Sequence, residues 1–372
     1  MIFRYPSYYD KFHCIADKCE DTCCAGWEID IDDESYEFYM KVGGEFGERL
    51  KNSIKEYESD EEDVYEQHGF ILKGKKRCPF LDENNLCDLY RELGEEALCD
   101  VCTDTPRNYF EYGGERELSL SASCPEAARL IYAESDCSMF VEKEIDEELD
   151  FEETEEEKEL ASKIKEARER AIKILQCREK PVGERAAEFL RFAEKVQEEL
   201  NGTPFSPAEG EESPYHMFLK RMVTLTALES ISEEWEDWLK LLDETFVESG
   251  NSAELYGGSH LRLQEEIVRQ EREFEYEHLL VYYAFLFLPR SVDDYDFLGK
   301  AKLVIFSYLV IRDMDAAWFC RYGSYDKKTR ENVARIYAKE VEHSQNNMEI
   351  LADDFLFEDS YETGNLVRAL LP

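Results

Sequence analysis

The stretch ISEEWEDWLKLLDETFVESG, residues 231–250, decides the fold class. Trp235, Trp238, Leu239, Leu242 and Phe246 recur at intervals of three and four, the spacing that gathers side chains on one face of a helix with 3.6 residues per turn. Ser232 stands where an N-cap belongs and Gly250 where the helix should stop. The neighbours read the same way. A helix is predicted over 184–200, ending before the linker NGTPFSPAEGEESP of residues 201–214, whose closing Pro214 is placed for the first turn of the next helix. Further helices are predicted at about 260–288, 295–320 and 326–354, separated by Pro289 and by a turn at 322–325. No run of alternating strands and no repeat of fixed period emerges. The expectation is a mainly α protein whose residues 161–372 form an α-helical domain.

Upstream the composition changes. Residues 1–140 hold ten of the twelve cysteines and many turn signals: Gly pairs at 43–44 and 113–114, Asn84-Asn85, Pro79, Pro106 and Pro125. One helix is predicted there, over 33–58, with a break at Gly43 and Gly44. This pattern points to a loop-rich module held together by something other than a large core. Between module and helices lies EKEIDEELDFEETEEEKE, residues 142–159, in which twelve acids and two lysines favour a solvated linker, set at 141–160.

The chain of 372 residues carries a formal net charge of -42. Nucleic-acid backbones and anionic membranes would be repelled by it, whereas a lysine-rich protein surface would be attracted. The most apolar stretches, LLVYYAFLFL (279–288) and LVIFSYLVI (303–311), are too short for a membrane span. The opening MIFRYPSYYDKFHC has no basic segment followed by an apolar one, so a cytoplasmic protein without a leader is expected.

In that reducing setting, cysteines at such density read as metal ligands rather than disulfides. CIADKCEDTCCAGW (14–27) places four within eleven residues, and CPFLDENNLC, LCDVC and SASCPE supply Cys78, Cys87, Cys99, Cys102 and Cys124. Thiolates are soft donors suited to zinc or to iron–sulfur clusters, and close spacing reduces the chain entropy lost in gathering them. Neither the zinc-ribbon pattern of two CxxC pairs nor the bacterial ferredoxin run is present, so the residues leave zinc and iron both open. The adjacent Cys23 and Cys24 are expected to have different roles or to bind different metals.

Four blocks in order carry a resemblance: Cys14-x4-Cys19-x3-Cys23-Cys24-x-Gly26-Trp27, then Cys78-Pro79-Phe80-Leu81 with Asn85-Leu86-Cys87, then Cys102-x3-Pro106-Arg107, then Ser121-x2-Cys124-Pro125-Glu126. The sequence resembles the flagellin lysine N-methylase family, and FEYEHLLVYYAFLFLP and AKEVEHSQNN are similar to its later helical segments. The resemblance implies a protein-lysine N-methyltransferase that transfers methyl groups from S-adenosylmethionine to lysines of flagellin. It implies an iron–sulfur cluster, of the 4Fe–4S kind, held among Cys14, Cys19, Cys23, Cys24, Cys78, Cys87, Cys102 and Cys124. Two positions depart from the family pattern: Cys99 adds a thiol beside Cys102, and Thr105 stands where an aromatic is usual.

A lysine must lose a proton, from a group of ordinary pKa about 10.4, before its nitrogen can take a methyl. His343 with Glu342, in the segment similar to the family, are the candidate catalytic residues, and Arg107, near Cys102, is the candidate for pairing with the carboxylate of S-adenosylmethionine. No Gly-rich turn follows a strand and opens a helix, so a Rossmann-type cofactor site is not expected, and the GG pairs at 43, 113 and 257 read as having no strand before them. The CxxxCxxC signature of radical enzymes is missing too, which favours polar methyl transfer. The competing reading is a non-catalytic zinc or iron–sulfur protein whose helices form a protein-interaction domain.

Overall fold

The computed structural model describes residues 1–57, 67–74, 76–146, 153–204 and 210–371, and helix makes up 62% of it. Helix Glu233–Phe246 starts where the sequence indicates: the Ser232 hydroxyl accepts the Trp235 N–H at 3.2 Å, and Trp235, Trp238, Leu242 and Phe246 are buried. Helices Val182–Asn201 and Pro214–Ala227 likewise match, the second capped by Ser213 with Pro214 in its first turn.

Two predicted helices are each broken in two. The segment near 260–288 is Ser252–Arg269 followed by Phe274–Phe287, with Glu271 between them at φ 57°. The segment near 326–354 is Lys327–Val341 followed by Gln345–Phe357, because Ser344 caps the second helix by accepting the Asn347 N–H at 3.2 Å. The central helix Phe297–Tyr322 packs against Val182–Asn201, Glu233–Phe246, Ser252–Arg269 and Phe274–Phe287. It and Phe274–Phe287 are buried around most of their circumference because neighbours surround them, which explains the apolar runs at 279–288 and 303–311. Among the described residues no helix is long and apolar enough to cross a membrane.

Two compact units divide the chain. The larger comprises Met1–Lys11, Tyr109–Ser123 and Ala128–Pro372; the smaller comprises Phe12–Asn108 and Cys124–Ala127. Among the described residues seven short strands occur where no alternating run was expected: β1 Ile2–Pro6, β2 Asp30–Ile31, β3 Ile54–Glu56, β4 His68–Phe70, β5 Arg107–Tyr112, β6 Glu115–Leu120 and β7 Phe140–Glu144. A four-stranded sheet has the order β5-β6-β1-β7, with β1 parallel to β6 (Ile2 opposite Glu115) and antiparallel to β7 (Pro6 opposite Phe140). Gly113 and Gly114, at φ 56° and 74°, make the two-residue turn between β5 and β6, a geometry that demands positive φ at both positions. The pair at 113 is therefore preceded by a strand, contrary to expectation, but a strand follows it, so it opens no helix. Gly257 lies inside helix Ser252–Arg269.

The smaller unit has a sheet of order β2-β4-β3 and helices Asp33–Lys41 and Gly44–Lys51. The predicted break at Gly43 and Gly44 is present, but the helix stops at Lys51, and β3 occupies part of the stretch expected to continue it. Its core gathers Ile31, Tyr39, Leu50, Phe70, Phe80 and Leu89 with Cys78 and Cys99.

Candidate functional site

The smaller unit contains nine cysteines: 14, 19, 23, 24, 78, 87, 99, 102 and 124, all of them free thiols. Cys14 and Cys23 are exposed, Cys78 and Cys99 buried, and the other five lie between. Local hydrogen bonds place them. The Cys78 N–H donates to the Cys24 carbonyl at 2.9 Å, and the Cys87 sulfur accepts the Tyr90 N–H at 3.5 Å as the cap of helix Asp88–Leu93. Two sulfur pairs are close, Cys23 with Cys24 at 4.0 Å and Cys99 with Cys102 at 3.5 Å. Burial pushes the Cys78 thiol up to about 11 and the Cys124 thiol up to about 12. The hydrogen bond between Cys99 and Cys102 lowers Cys99 and, together with burial, raises Cys102.

In kind, nine thiols on one unit suit a soft metal or cluster. In position they offer close pairs: among the described residues no three thiols, imidazoles or carboxylates converge as the ligands of one ion. The extra thiol Cys99 is as close to Cys102 as any cysteine in the unit comes to another in a hydrogen bond. Arg107 lies over the Phe12 ring at 5.3 Å and donates to the Thr103 carbonyl at 3.5 Å.

His343 and Glu342 belong to the larger unit, in the break between helices Lys327–Val341 and Gln345–Phe357. Leaving the helix there turns both side chains toward residues 121–123, which follow β6. The Ser121 hydroxyl lies 2.7 Å from Glu342 Oε2, 2.9 Å from His343 Nε2 and 2.8 Å from Ser123 Oγ. Ser123 Oγ lies 3.0 Å from the same Nε2, and its N–H donates to Ser121 Oγ at 3.2 Å. From helix Phe274–Phe287 the Tyr282 hydroxyl accepts the Ala122 N–H at 2.9 Å and reaches both Glu342 oxygens, at 2.9 and 3.0 Å.

Ser121, Ser123 and Tyr282 are buried, whereas Glu342 and His343 each keep a partly exposed edge. Desolvation raises Glu342 to about 7, against the pull of the Ser121 and Tyr282 hydrogen bonds, which favour the ionised form. Desolvation lowers His343 to about 4, aided by the charge of Lys339. Burial and the nearby Glu342 carboxylate raise Tyr8, Tyr282 and Tyr283, and Tyr337 is raised mainly by burial. The arrangement holds a carboxyl group that gains and loses its proton near neutral pH beside a neutral imidazole, the kind of pairing that acid–base work requires.

The sequence singled out the neighbours Glu342 and His343, and the structure joins both to Ser121. It missed Tyr282, hidden in the apolar run 279–288, and Ser123; Ser121 was noted only as part of a cysteine motif. A usable signal was there: a buried tyrosine hydroxyl usually finds a hydrogen-bond partner, as that of Tyr282 does.

The model of the FliB lysine N-methylase C-terminal domain matches residues 168–368, more than half of the chain. The chain belongs to the FliB lysine N-methylase family. The match includes Tyr282, Glu342 and His343, while the nine clustered cysteines and the two serines precede it. A lysine-N-methylase of Salmonella typhimurium (strain LT2) is 28% identical over 157 residues, 38% of this chain and 35% of that protein. The lysine-N-methylase of Salmonella choleraesuis (strain SC-B67) matches to the same extent. The flagellar biosynthetic protein FliU of Salmonella muenchen is 28% identical over 155 residues, 37% of this chain and 81% of that protein. The match thus spans about a third of the length of the two curated lysine-N-methylases. No solved structure matches.

Proposed function

We propose that this chain is a protein-lysine N-methyltransferase that acts on flagellin with S-adenosylmethionine as donor and depends on an iron–sulfur cluster held by the cysteine-rich unit. The observation that carries the reading is the Glu342–His343 pair, held by hydrogen bonds within a segment matched by a lysine N-methylase family. The names of the relatives support the same class, and the four cysteine blocks support the cluster.

The residues suit the chemistry. S-adenosylmethionine, when bound, supplies an electrophilic methyl group. The lysine nitrogen attacks it only as a free amine, so one proton must leave the ammonium. Glu342, titrating near 7, is the acceptor, and the desolvation that raises it would also ease deprotonation of an ammonium brought beside it. Tyr282 and Ser121 hold the carboxylate in place. Arg107 is the candidate to pair with the donor's carboxylate, and Cys14, Cys19, Cys23, Cys24, Cys78, Cys87, Cys102 and Cys124 are the candidate cluster ligands.

Co-expression with the cognate flagellin tests the reading, with methyl-lysines counted by mass spectrometry. Wild type should yield methylated flagellin, and Glu342→Gln should lower the yield by about two orders of magnitude or more. Unmodified flagellin alongside folded wild-type protein would refute it. Iron, zinc and acid-labile sulfide, measured on protein purified without oxygen, decide the metal: zinc without sulfide would leave a structural metal in place of the cluster.

A further inference from the structure

We propose that Ser121 passes a proton between Glu342 and His343, so that the three side chains act as one proton-accepting unit. The donor–acceptor count carries the idea. Tyr282 Oη already accepts the Ala122 N–H, so its one proton points to Glu342, and it is a fixed donor. Ser121 differs: its single hydroxyl proton faces competing acceptors, Glu342 Oε2 at 2.7 Å and His343 Nε2 at 2.9 Å, with Ser123 Oγ at 2.8 Å between donor and acceptor roles.

Two proton arrangements satisfy the group. With Glu342 ionised, Ser121 donates to the carboxylate, and His343 carries its proton on Nε2 and donates to the serines. With Glu342 protonated, the carboxyl donates to Ser121, Ser121 donates to a bare Nε2, and the ring proton sits on Nδ1. Conversion of the second form to the first shifts three protons by one step each, releases one of them to water, and breaks as many bonds as it makes. The Glu342 O–H breaks as a Ser121 O–H forms, the original Ser121 O–H breaks as Nε2–H forms, and Nδ1–H passes to solvent from the partly exposed ring. The carboxylate is regenerated, and the imidazole is cationic only in passing. A ring whose protonated form is disfavoured, as the lowered His343 is, suits a conduit rather than a store. Ser123 holds the Nε2 side and is a positioning residue.

Among the described residues, titratable groups that act on this pair are Tyr8, Tyr282, Tyr283 and Tyr337 around Glu342 and Lys339 near His343. All four tyrosines stay protonated through neutral pH, so the serine is the bridge. That the incoming proton comes from a lysine ammonium rests on the function proposed above; the relay itself does not.

The test is an NMR titration of nitrogen-15 histidine-labelled protein, in which six histidines must be resolved. In wild type, the His343 ring nitrogens should change tautomer with a midpoint near 7, where Glu342 titrates, and not only near 4. Glu342→Gln should abolish the change near 7. Ser121→Ala should abolish it while the protein stays folded, and Ser121→Thr, which keeps the hydroxyl, should restore it. In methyl transfer, Ser121→Ala should lower kcat at least about tenfold with KM unchanged. A wild-type ring with no change near 7, or a folded Ser121→Ala whose ring still switches there, overturns the relay. If Ser121→Ala fails to fold, the comparison of wild type with Glu342→Gln and Ser121→Thr decides alone. Loss of methyl transfer with an intact tautomer switch would count against the proposed function and not against the relay.

Discussion

At the scale of single residues, Glu342 couples stability to pH. Its folded pKa, about 7, lies above the ordinary 4.5. Such a group contributes stability that is fully present below about 4.5 and is lost as pH rises through 7, because the unfolded chain ionises first. Glu342→Gln, which cannot ionise, should therefore gain on wild type as pH rises from 4.5 to 7 and then hold level. The gain should reach between about 1 and 3 kcal/mol, reduced by partial exposure. Thermal melts of both proteins from pH 4 to 9 check this; a difference that is flat with pH would show that the carboxyl is not perturbed. His343, lowered to about 4, acts in the opposite sense, adding stability as pH rises from 4 towards 6.5, so the difference between variants is the cleaner readout. Tyr282→Phe removes a hydrogen bond that favours the ionised carboxylate and leaves the Ala122 N–H without its partner. It should move the acid limb of the pH–rate profile upward and cost about 1–3 kcal/mol in denaturant unfolding. An unmoved acid limb would exclude Glu342 as the base.

At the scale of elements, the decisive feature is the interruption after Val341. Glu340 accepts the Ile231 N–H and the Ser232 hydroxyl, both at 2.6 Å, ahead of helix Glu233–Phe246. The buried Asn347 donates to the carbonyls of Glu229 and Glu340 and accepts the Glu229 N–H. The junction therefore places His343 and Glu342 by fastening the helices on either side of them. Asn347→Ala removes all three bonds and should cost about 3 kcal/mol or more by urea denaturation, whereas Ser344→Ala, which loses one cap, should cost about 1 kcal/mol. Equal costs would place the strength of the junction in the cap. The sequence showed this region as one helix because Ala338, Lys339, Glu340, Val341 and Glu342 include no glycine or proline to break it, and the polar side chains that end it act across the fold. The strands were hidden for a related reason. In β6 an inward position is taken by Glu117, which is bonded to Arg168 and Tyr112, so charge occupies the place where alternation would show a hydrophobe. By contrast, the 3.6-residue stripe of Trp235 to Phe246 was legible because its side chains are apolar and join the main hydrophobic core.

At the scale of the whole molecule, motif spacing disclosed more chemistry than arrangement. The cysteines were legible as one set because their identity and crowding carry the signal, and the smaller unit holds all nine. Their pairing was not, since it depends on how loops close: Cys78 is tied to Cys24 by a backbone hydrogen bond, across 54 positions of chain. The serines escaped because hydroxyls have no spacing rule of their own. Net charge, readable from composition, bears on the proposed substrate. With 86 acids against 44 lysines and arginines, the surface attracts a lysine-rich protein from beyond contact distance, and salt weakens that attraction as the Debye length shrinks from about 10 Å at 0.1 M to about 3 Å at 1 M. For methyl transfer to a lysine-rich protein, kcat/KM should fall several-fold, roughly three to ten times, between 0.05 and 0.5 M salt, with the loss in KM and kcat nearly constant. A short peptide carrying one target lysine among neutral residues should change by less than about twofold. The two substrates separate capture by charge from general salt effects on the enzyme, because those would act on both alike. If the protein substrate proves as indifferent to salt as the peptide, the acidic surface has no part in recruiting it, and specificity must reside in contacts close to the reacting lysine.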